Sequence, residues 1–158
     1  MLVLVVSDSH GRHDNLEIAI ERVKPDLVYH LGDGGGFQNL IQRMAGCPLE
    51  IVRGNCDFDA TLPNDIVTEL GNHKILLTHG HRYDVRFHRY GLIEAAQENG
   101  CDMVIYGHTH CPELITDEDV IIMNPGSISQ PRQEGHRPSY GVIHVDDEGE
   151  ITANIVYL

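Results

Sequence analysis

The sequence predicts an α/β fold in which a second β-sheet packs on a mixed β-sheet. Three observations support this prediction. Of the 158 residues, 41% are hydrophobic and 22% are charged, which is typical of a globular chain, and the length fits one domain over residues 1–158. Strands and helices alternate through the first half of the sequence. The second half is richer in strands, which pair as hairpins.

The first half opens with a continuous aliphatic run rich in β-branched valine, Leu2–Val6, which suits a strand buried on both faces. Asp14 or Asn15 is expected to cap a helix that runs to Val23, because apolar side chains recur there at helical spacing and Pro25 follows. The remaining predicted elements of this half are a strand at Leu27–Leu31, a helix at Phe37–Ala45 that stops at Gly46, and a strand at Glu50–Arg53.

The second half consists mainly of hairpins with short polar turns, such as Gly71-Asn72. One long helix, Arg86–Asn99, interrupts them and is expected to stop at Gly100. The predicted strands are Ile66–Leu70, Lys74–Thr78, Met103–Tyr106, Leu114–Thr116, Val120–Met123, Tyr140–Val145 and Ile151–Tyr157.

The charge of the chain restricts its partners. With 24 acidic and 11 basic residues the formal net charge is −13, so duplex nucleic acid and anionic membranes are excluded as expected partners. No apolar run approaches the roughly 20 residues that span a membrane, and the opening run has no cationic region before it, as a signal peptide would. The cysteines form no Cys-x-x-Cys pair, so reduced thiols in a cytoplasmic protein are expected.

Polar, glycine-containing loops follow five predicted strands, namely Ser7–Gly11, Gly32–Gly36, Arg53–Asp57, Thr78–His81 and Gly107–His110. A single histidine or aspartate in a loop would be unremarkable, but this set is not expected by chance. Ligands in α/β folds bind beyond the carboxyl ends of the strands, so these loops are expected to meet at one site. They supply Asp8, His10, Asp33, Asn55, His79, His108 and His110.

The chemistry follows from the kinds of side chain in this set. Carboxylate and imidazole ligands without a thiolate suit Mn²⁺, Fe²⁺, Co²⁺, Ni²⁺ or Zn²⁺. Seven side chains are more than one tetrahedral ion needs, and they suit two ions. Two ions about 3.5–4 Å apart clamp a phosphoryl group and generate a hydroxide nucleophile. Such a centre would also give this acidic protein a local binding place for a small phosphoester.

The motifs Asp-x-His, Gly-Asp, Gly-Asn-x-Asp, His and Gly-His-Thr-His, in this order, resemble the calcineurin-like metallophosphoesterase superfamily. The length, the absence of a cap domain and the Gly-Asn-Cys-Asp variant resemble its small YfcE-type phosphodiesterases. The loop Asn124–Ser127 also matches the family. The resemblance implies a four-layer metallophosphoesterase-like fold, in which helices cover the outer faces of two packed mixed sheets, and a phosphodiesterase that acts on small phosphodiesters.

The resemblance also implies roles for individual residues. The first ion would be held by Asp8, His10 and His110 and the second by Asn55, His79 and His108, with Asp33 bridging the two. The expected cofactors are two divalent transition-metal ions, Mn²⁺ first, with Ni²⁺, Co²⁺, Zn²⁺ and Fe²⁺ as the other candidates. A hydroxide bridging the ions would attack phosphorus in line. The expected catalytic residues are Asn55, Cys56, His79 and His108.

Cys56 departs from the pattern of larger family members, which carry a histidine at this position that contacts phosphate and helps to protonate the leaving group. A thiol with a pKa near 8.5 is a poorer proton donor than an imidazolium, so good leaving groups such as aryloxides are expected. A packed small residue is an equal alternative for Cys56. Asp57 is expected to cap the next turn or to orient a ligand, and His81 is a candidate to touch substrate or to lie at the rim.

Two questions stay open at this level. A catalytically silent scaffold, such as the metallophosphoesterase-like subunit of the retromer coat, is the alternative function, although such a member should have lost ligands and none is missing here. Phe37, Phe87, Tyr157 and Leu158 could join the subunits of a homo-oligomer, but internal packing is the expected role for them.

Overall fold

The computed structural model describes residues 1–158, which form two five-stranded mixed sheets and three helices and so confirm the predicted fold class. The strands are β1 (Leu2–Val6), β2 (Leu27–His30), β3 (Leu49–Ile51), β4 (Asp65–Leu70), β5 (His73–Thr78), β6 (Met103–Ile105), β7 (Pro112–Asp117), β8 (Val120–Pro125), β9 (Ser139–Val145) and β10 (Ile151–Tyr157). The helices are α1 (Asp14–Val23), α2 (Gln38–Ala45) and α3 (Tyr90–Glu98).

The first sheet has the strand order β10-β9-β1-β2-β3, and the second has the order β4-β5-β6-β8-β7. In the first sheet β1, β2 and β3 are parallel, while β9 runs antiparallel to β1 and pairs Leu2 with His144. In the second sheet β5, β6 and β8 are parallel, and β4 and β7 are antiparallel edge strands. Each sheet therefore contains three adjacent parallel strands, which carry polar loops at their carboxyl ends.

Three buried clusters hold the layers together. The cluster between the sheets includes Val3 and Val5 of β1 and Met103 of β6, all fully buried. Successive side chains of a strand point to opposite faces, so Leu4 and Val6 lie under α1 and α2 instead. The third cluster joins α3 to the second sheet. Burying one such aliphatic side chain stabilises the fold by roughly 1.5–3 kcal/mol, so the strands of this four-layer fold form a rigid base for their loops.

The helices differ from the sequence prediction at their amino-terminal ends. Helix α1 begins at Asp14, and no side chain caps it, because the Asn15 amide instead donates a hydrogen bond to the Ile128 carbonyl at 2.9 Å. Helix α3 begins at Tyr90 rather than at Arg86, because the Arg89 guanidinium donates to the Val85 carbonyl that a longer helix would use. None of the three helices has the length and apolar character needed to cross a lipid bilayer.

Candidate metal centre

The carboxyl ends of β1, β2, β3, β5 and β6 meet at one edge of the two sheets, and their loops bring seven predicted ligands together. We call this group the seven-residue cluster; it consists of Asp8, His10, Asp33, Asn55, His79, His108 and His110. Five of these residues, Asp8, His10, Asp33, His108 and His110, have left-handed backbone conformations with φ between 46° and 69°. Such conformations cost about 1–3 kcal/mol each, and they persist at functional sites where the surrounding structure enforces them.

The first half of the cluster gathers lone pairs around one point. His110 Nε2 lies 3.1 Å from Asp8 Oδ1 and 3.4 Å from His10 Nε2. The other nitrogen, His110 Nδ1, donates its proton to the Gln130 carbonyl at 2.7 Å, so Nε2 of the neutral ring presents a lone pair. Asp8 Oδ1 is buried and receives no hydrogen bond. These carboxylate and imidazole donors fit a divalent ion, which would satisfy the buried Asp8 oxygen.

The second half of the cluster surrounds His79, whose ring is fully buried. His79 Nδ1 donates to the Leu31 carbonyl, which turns Nε2 toward the other ligands. That nitrogen lies 3.1 Å from Asn55 Oδ1 and 3.5 Å from Asp33 Oδ2, and the His108 ring lies 5.2 Å away between centroids. Because Asp33 Oδ2 is also 3.8 Å from His10 Nε2, the Asp33 carboxylate lies between the two halves.

The electrostatics of the cluster favour charged carboxylates. Burial alone would raise the pKa of Asp8, but the neighbouring imidazoles of His110 and His79, with the Ser7 hydroxyl that donates to Oδ2, hold it below its ordinary value. Burial would likewise raise the pKa of Asp33, and hydrogen bonding and charge from His79 lower it well below the usual range. Burial and the charge of His79 lower the pKa of His108 to about 4, so this imidazole is neutral at pH 7 and can act as a ligand.

The Asp57 carboxylate forms hydrogen bonds with the loops after β2 and β3, which agrees with the expectation that it orients a ligand. Its buried carboxylate accepts backbone hydrogen bonds from Asp33 at 2.8 Å, Gly54 at 2.9 Å and Gly35 at 3.1 Å. Gly54 itself has no room for a side chain, because a Cβ there would overlap the Oδ1 and backbone nitrogen of Asp33. The loops after β2 and β3 are therefore packed against each other at van der Waals distance.

Two positioning groups carry no clear signal in the sequence. His30 is buried inside β2; its Nδ1 accepts from the Gly32 amide at 3.2 Å and its Nε2 donates to Ser9 Oγ at 3.0 Å. Burial lowers the pKa of His30 to about 4, so it stays neutral. Gln130 acts only through its backbone carbonyl on His110, so its side chain gives no hint of the role.

The loop Asn124–Ser127 forms hydrogen bonds with two of the loops that carry the candidate ligands. Asn124 Nδ2 donates to the Gly107 carbonyl at 2.9 Å and to Thr109 Oγ1 at 3.0 Å, which holds the loop that carries His108 and His110. Ser127 Oγ donates to the Asp8 carbonyl at 2.9 Å. The polar residues at the end of β8 therefore fix two ligand loops at once.

Cys56 lies beside the cluster, exposed to solvent. Its backbone amide donates to Asp33 Oδ1 at 2.8 Å, and its Sγ accepts from Asn55 Nδ2 at 3.3 Å. Its sulfur also groups with donor atoms of His10 and Asp33 within 4.8 Å of one another. Desolvation, with the nearby Asp33 charge, raises the pKa of the thiol, so it stays protonated at neutral pH.

An open groove of about 350 Å³ runs from the cluster toward the segment before α3. Asn55 and His108 form its cluster end, and His81 lines it, which fits a residue at the rim. Phe87 lines the other side and is 85% exposed, so the expectation that it packs internally is wrong.

Comparisons with known proteins agree with this geometry. The profile of the calcineurin-like phosphoesterase superfamily domain matches residues 1–148. The chain is 31% identical over 150 residues to the probable metallophosphoesterase YsnB of Bacillus subtilis, a match that covers 94% of this chain and 86% of YsnB. It is 34% identical over 112 residues to the phosphodiesterase YfcE of Escherichia coli, covering 65% of this chain and 56% of YfcE.

A solved structure shows the same fold. The crystal structure of wild-type Vps29 from Entamoeba histolytica, complexed with Zn²⁺, superposes with a TM-score of 0.80 at 25% identity, and the match covers 99% of each chain. The two five-stranded sheets and their helices are thus shared with a protein whose structure contains a divalent ion.

Proposed function

Because this chain belongs to the calcineurin-like phosphoesterase superfamily, we propose that it is a metal-dependent phosphodiesterase that hydrolyses small phosphodiesters at the seven-residue cluster. The observation that carries the proposal is the convergence of Asp8 Oδ1, His10 Nε2 and His110 Nε2 on one point, where a cation would satisfy the buried carboxylate oxygen. The name of the relative YfcE supports the choice of a diester over a monoester.

We propose that each half of the cluster holds one ion, as the family resemblance implies. Asp8, His10 and His110 would hold the first ion, and Asn55, His79 and His108 the second, with the carboxylate of Asp33 shared. When bound, two divalent ions acidify a water to a nucleophile and neutralise the oxygens of the phosphoryl group. Mn²⁺ is our first candidate because of the family resemblance, and the carboxylate and imidazole donors also suit Ni²⁺, Co²⁺, Zn²⁺ or Fe²⁺.

The chain's own residues orient the ligands. His79 donates its Nδ1 proton to the Leu31 carbonyl, and His110 donates its Nδ1 proton to the Gln130 carbonyl. These hydrogen bonds fix both tautomers, so the Nε2 lone pair of each ring is free to coordinate a metal ion. Burial keeps both carboxylates of the cluster away from bulk water, so their charge is available to the ions rather than screened.

The position of Cys56 bears on the leaving group. The raised pKa of its thiol makes it a weak acid beside the cluster, so it gives little help to an alkoxide that departs. We therefore place phosphodiesters with good leaving groups, such as aryl esters, first among the substrates in vitro. The open groove beside Asn55 and His108 admits small or flexible diesters.

The remaining parts of the proposal concern the whole chain. We take it to be one domain without a cap. The four cysteines are unpaired, which fits a reducing, cytoplasmic setting. A small phosphoester is the proposed partner, duplex nucleic acid and membranes are not, and a homo-oligomer stays open because Phe87 is exposed.

The test is hydrolysis of bis(p-nitrophenyl) phosphate and p-nitrophenyl phosphate by metal-stripped protein, with Mn²⁺, Ni²⁺, Co²⁺, Zn²⁺ or Mg²⁺ added back. We expect metal-dependent turnover of the diester that is lost in Asp33→Ala and His79→Ala. Asp147→Ala and His88→Ala, which change exposed residues of the same types, are the matched controls and should keep the activity. Metal-independent turnover, or turnover that survives in Asp33→Ala, contradicts the proposal. No turnover together with no metal binding would favour the silent scaffold.

A further inference from the structure

A second pocket of about 570 Å³ adjoins the groove that leads from the cluster. Its most distinctive feature is its charge, because three of the chain's 11 basic residues line it in a protein whose net charge is −13. The lining residues are Val85, Arg86, Arg89, Thr109, Cys111, Pro112, Glu113 and Arg132. The volume lies within the range of small-molecule sites, which is about 300–1,000 Å³.

One of the three arginines is already neutralised and belongs to the wall of the pocket. The Arg89 guanidinium contacts Glu113 Oε2 at 2.7 and 2.8 Å, and its carbon lies 5.3 Å from the centre of the Tyr106 ring. Its Nη1 also donates to the Val85 carbonyl. Arg89 thus joins the segment before α3 to strand β7 and has little charge left for a ligand.

The other two arginines are free to bind an anion. Arg86 and Arg132 are exposed, and neither forms an ion pair with a carboxylate of the chain. After the Arg89–Glu113 pair is subtracted, the lining of the pocket carries two positive charges. A phosphomonoester carries about −1.5 to −2 at pH 7, so its charge matches that of the pocket. Guanidinium groups also match the oxygens of a phosphate geometrically.

The pocket shares part of its lining with the groove that leads from the cluster. Val85 and Arg86 line both the pocket and the groove that ends at Asn55 and His108. Thr109, in the pocket wall, stands between the proposed ligands His108 and His110. The Arg132 amide donates to the His110 carbonyl at 3.1 Å, so the segment that carries this arginine lies against the ligand loop.

We infer that this pocket, which we call the arginine pocket, binds a second phosphate group of the substrate. That phosphate is attached to the group that is esterified to the reacting phosphorus. The preferred substrates are therefore phosphodiesters that carry a terminal phosphomonoester. The inference rests on the proposed function. Arg86 and Arg132 select the substrate by binding its second phosphate. Asp84 lines the adjoining groove, where its negative charge disfavours a substrate whose second phosphate lies in the groove rather than in the pocket.

The test compares two substrates that differ only in the second phosphate. Thymidine 5′-(p-nitrophenyl phosphate) and its 3′-phosphorylated analogue release the same p-nitrophenolate, so the ratio of their kcat/KM values isolates the contribution of the 3′-phosphate. We expect a ratio of about tenfold in favour of the bisphosphorylated substrate, as expected for charge-assisted contacts to two partly exposed guanidinium groups. In Arg86→Gln/Arg132→Gln the ratio should fall to about one, and Lys at both positions should restore part of it.

Arg43→Gln is the matched control, because Arg43 is an exposed arginine in the last turn of α2. It should keep the wild-type ratio. A wild-type ratio near one, or a ratio that the double variant leaves intact, overturns the inference.

A binding measurement separates failure of this inference from failure of the proposed function. Metal-loaded protein is titrated calorimetrically with thymidine 3′,5′-bisphosphate and with thymidine 5′-phosphate. Tighter binding of the bisphosphate in the wild type, lost in the double arginine variant, supports the pocket even if no diester is hydrolysed. Equal binding of the two nucleotides overturns it even if bis(p-nitrophenyl) phosphate is a good substrate.

Discussion

At the scale of single residues, Asp57 shows how a side chain that touches neither metal nor substrate can decide the geometry of the centre. Its carboxylate accepts three backbone hydrogen bonds, one of them from the amide of Asp33, the proposed bridging ligand. Hydrogen bonds of this kind set the direction of a ligand, and removing them commonly weakens metal binding by about 10–100-fold.

We predict that Asp57→Asn lowers metal affinity by about tenfold or more and the free energy of unfolding by about 1–3 kcal/mol, because an amide cannot replace both acceptor oxygens. Metal titration and chemical denaturation measure the two effects. Asp59→Asn is the matched control, because the Asp59 carboxylate serves only the turn at Thr61 and Gln38. Unchanged metal affinity in Asp57→Asn would show that the ligand loops hold their shape without it.

Position 56 gives a second prediction at this scale. Cys56→His should reduce the rate difference between bis(p-nitrophenyl) phosphate and diphenyl phosphate by about tenfold or more, because an imidazolium protonates the poorer phenolate leaving group. Cys56→Ala, which removes the thiol without adding a donor, should not reduce this difference. If the histidine variant leaves the difference as it is in the wild type, a proton donor at this position does not reach the leaving group.

At the scale of elements, the centre depends on how closely the loops after β2 and β3 approach each other. Gly54 stands at the contact, and its backbone conformation is not left-handed, so lack of space alone excludes a side chain.

We predict that Gly54→Ala lowers the free energy of unfolding by about 2 kcal/mol or more and abolishes metal binding, because the new Cβ must displace the backbone of Asp33. Gly36→Ala is the control: a Cβ there meets nothing within 4 Å, and only its φ of 82° is unfavourable, which costs about 1 kcal/mol. Thermal unfolding and metal titration of both variants check the prediction. Equal effects of the two substitutions would show that the loops tolerate the displacement.

The sequence predicts the elements of this fold well where the pattern is local. Strand β1 and the stops of the helices follow from a β-branched run, a proline and glycines. Because polar loops recur after five of the first six strands, the seven candidate ligands can be identified before the fold is known, and the structure places all seven at one edge.

Contacts made by tertiary structure are not predictable in this way. The start of α3 is set by the Arg89 side chain, which takes a backbone carbonyl. Nothing in the sequence distinguishes the buried His30, which contacts Ser9, from any other residue of its strand. Gln130 orients His110 through its backbone carbonyl alone, so its side chain gives no signal. The arginine pocket likewise joins Arg86 and Arg132, which are distant along the chain.

At the scale of the whole molecule, the centre stores unfavourable free energy that bound ions relieve. Two buried carboxylates face imidazole lone pairs, and five ligand residues have left-handed backbones. Ions bind this arrangement only in the folded state, so they should stabilise the chain by mass action.

We predict that each bound Mn²⁺, at about 100 times the Kd of its site, stabilises the fold by about 2.7 kcal/mol, which corresponds to a rise in Tm of roughly 5–10 °C per ion for a chain of this length. Scanning calorimetry with Mn²⁺ or with a chelator measures the difference. Asp33→Ala, which loses the shared carboxylate, should show a much smaller rise. A Tm that does not respond to the ion in the wild type would contradict binding at the cluster.

The position of β1 in its sheet has a consequence for the order in which the chain is made. Strand β1 leaves the ribosome long before β9, yet it is the central strand of its sheet and β9 is one of its two neighbours. Until Ser139–Val145 has been synthesised, the nascent protein must carry an apolar strand with one open edge. A chain released early, at Pro138, should therefore be a substrate for chaperones and proteases rather than a smaller working enzyme.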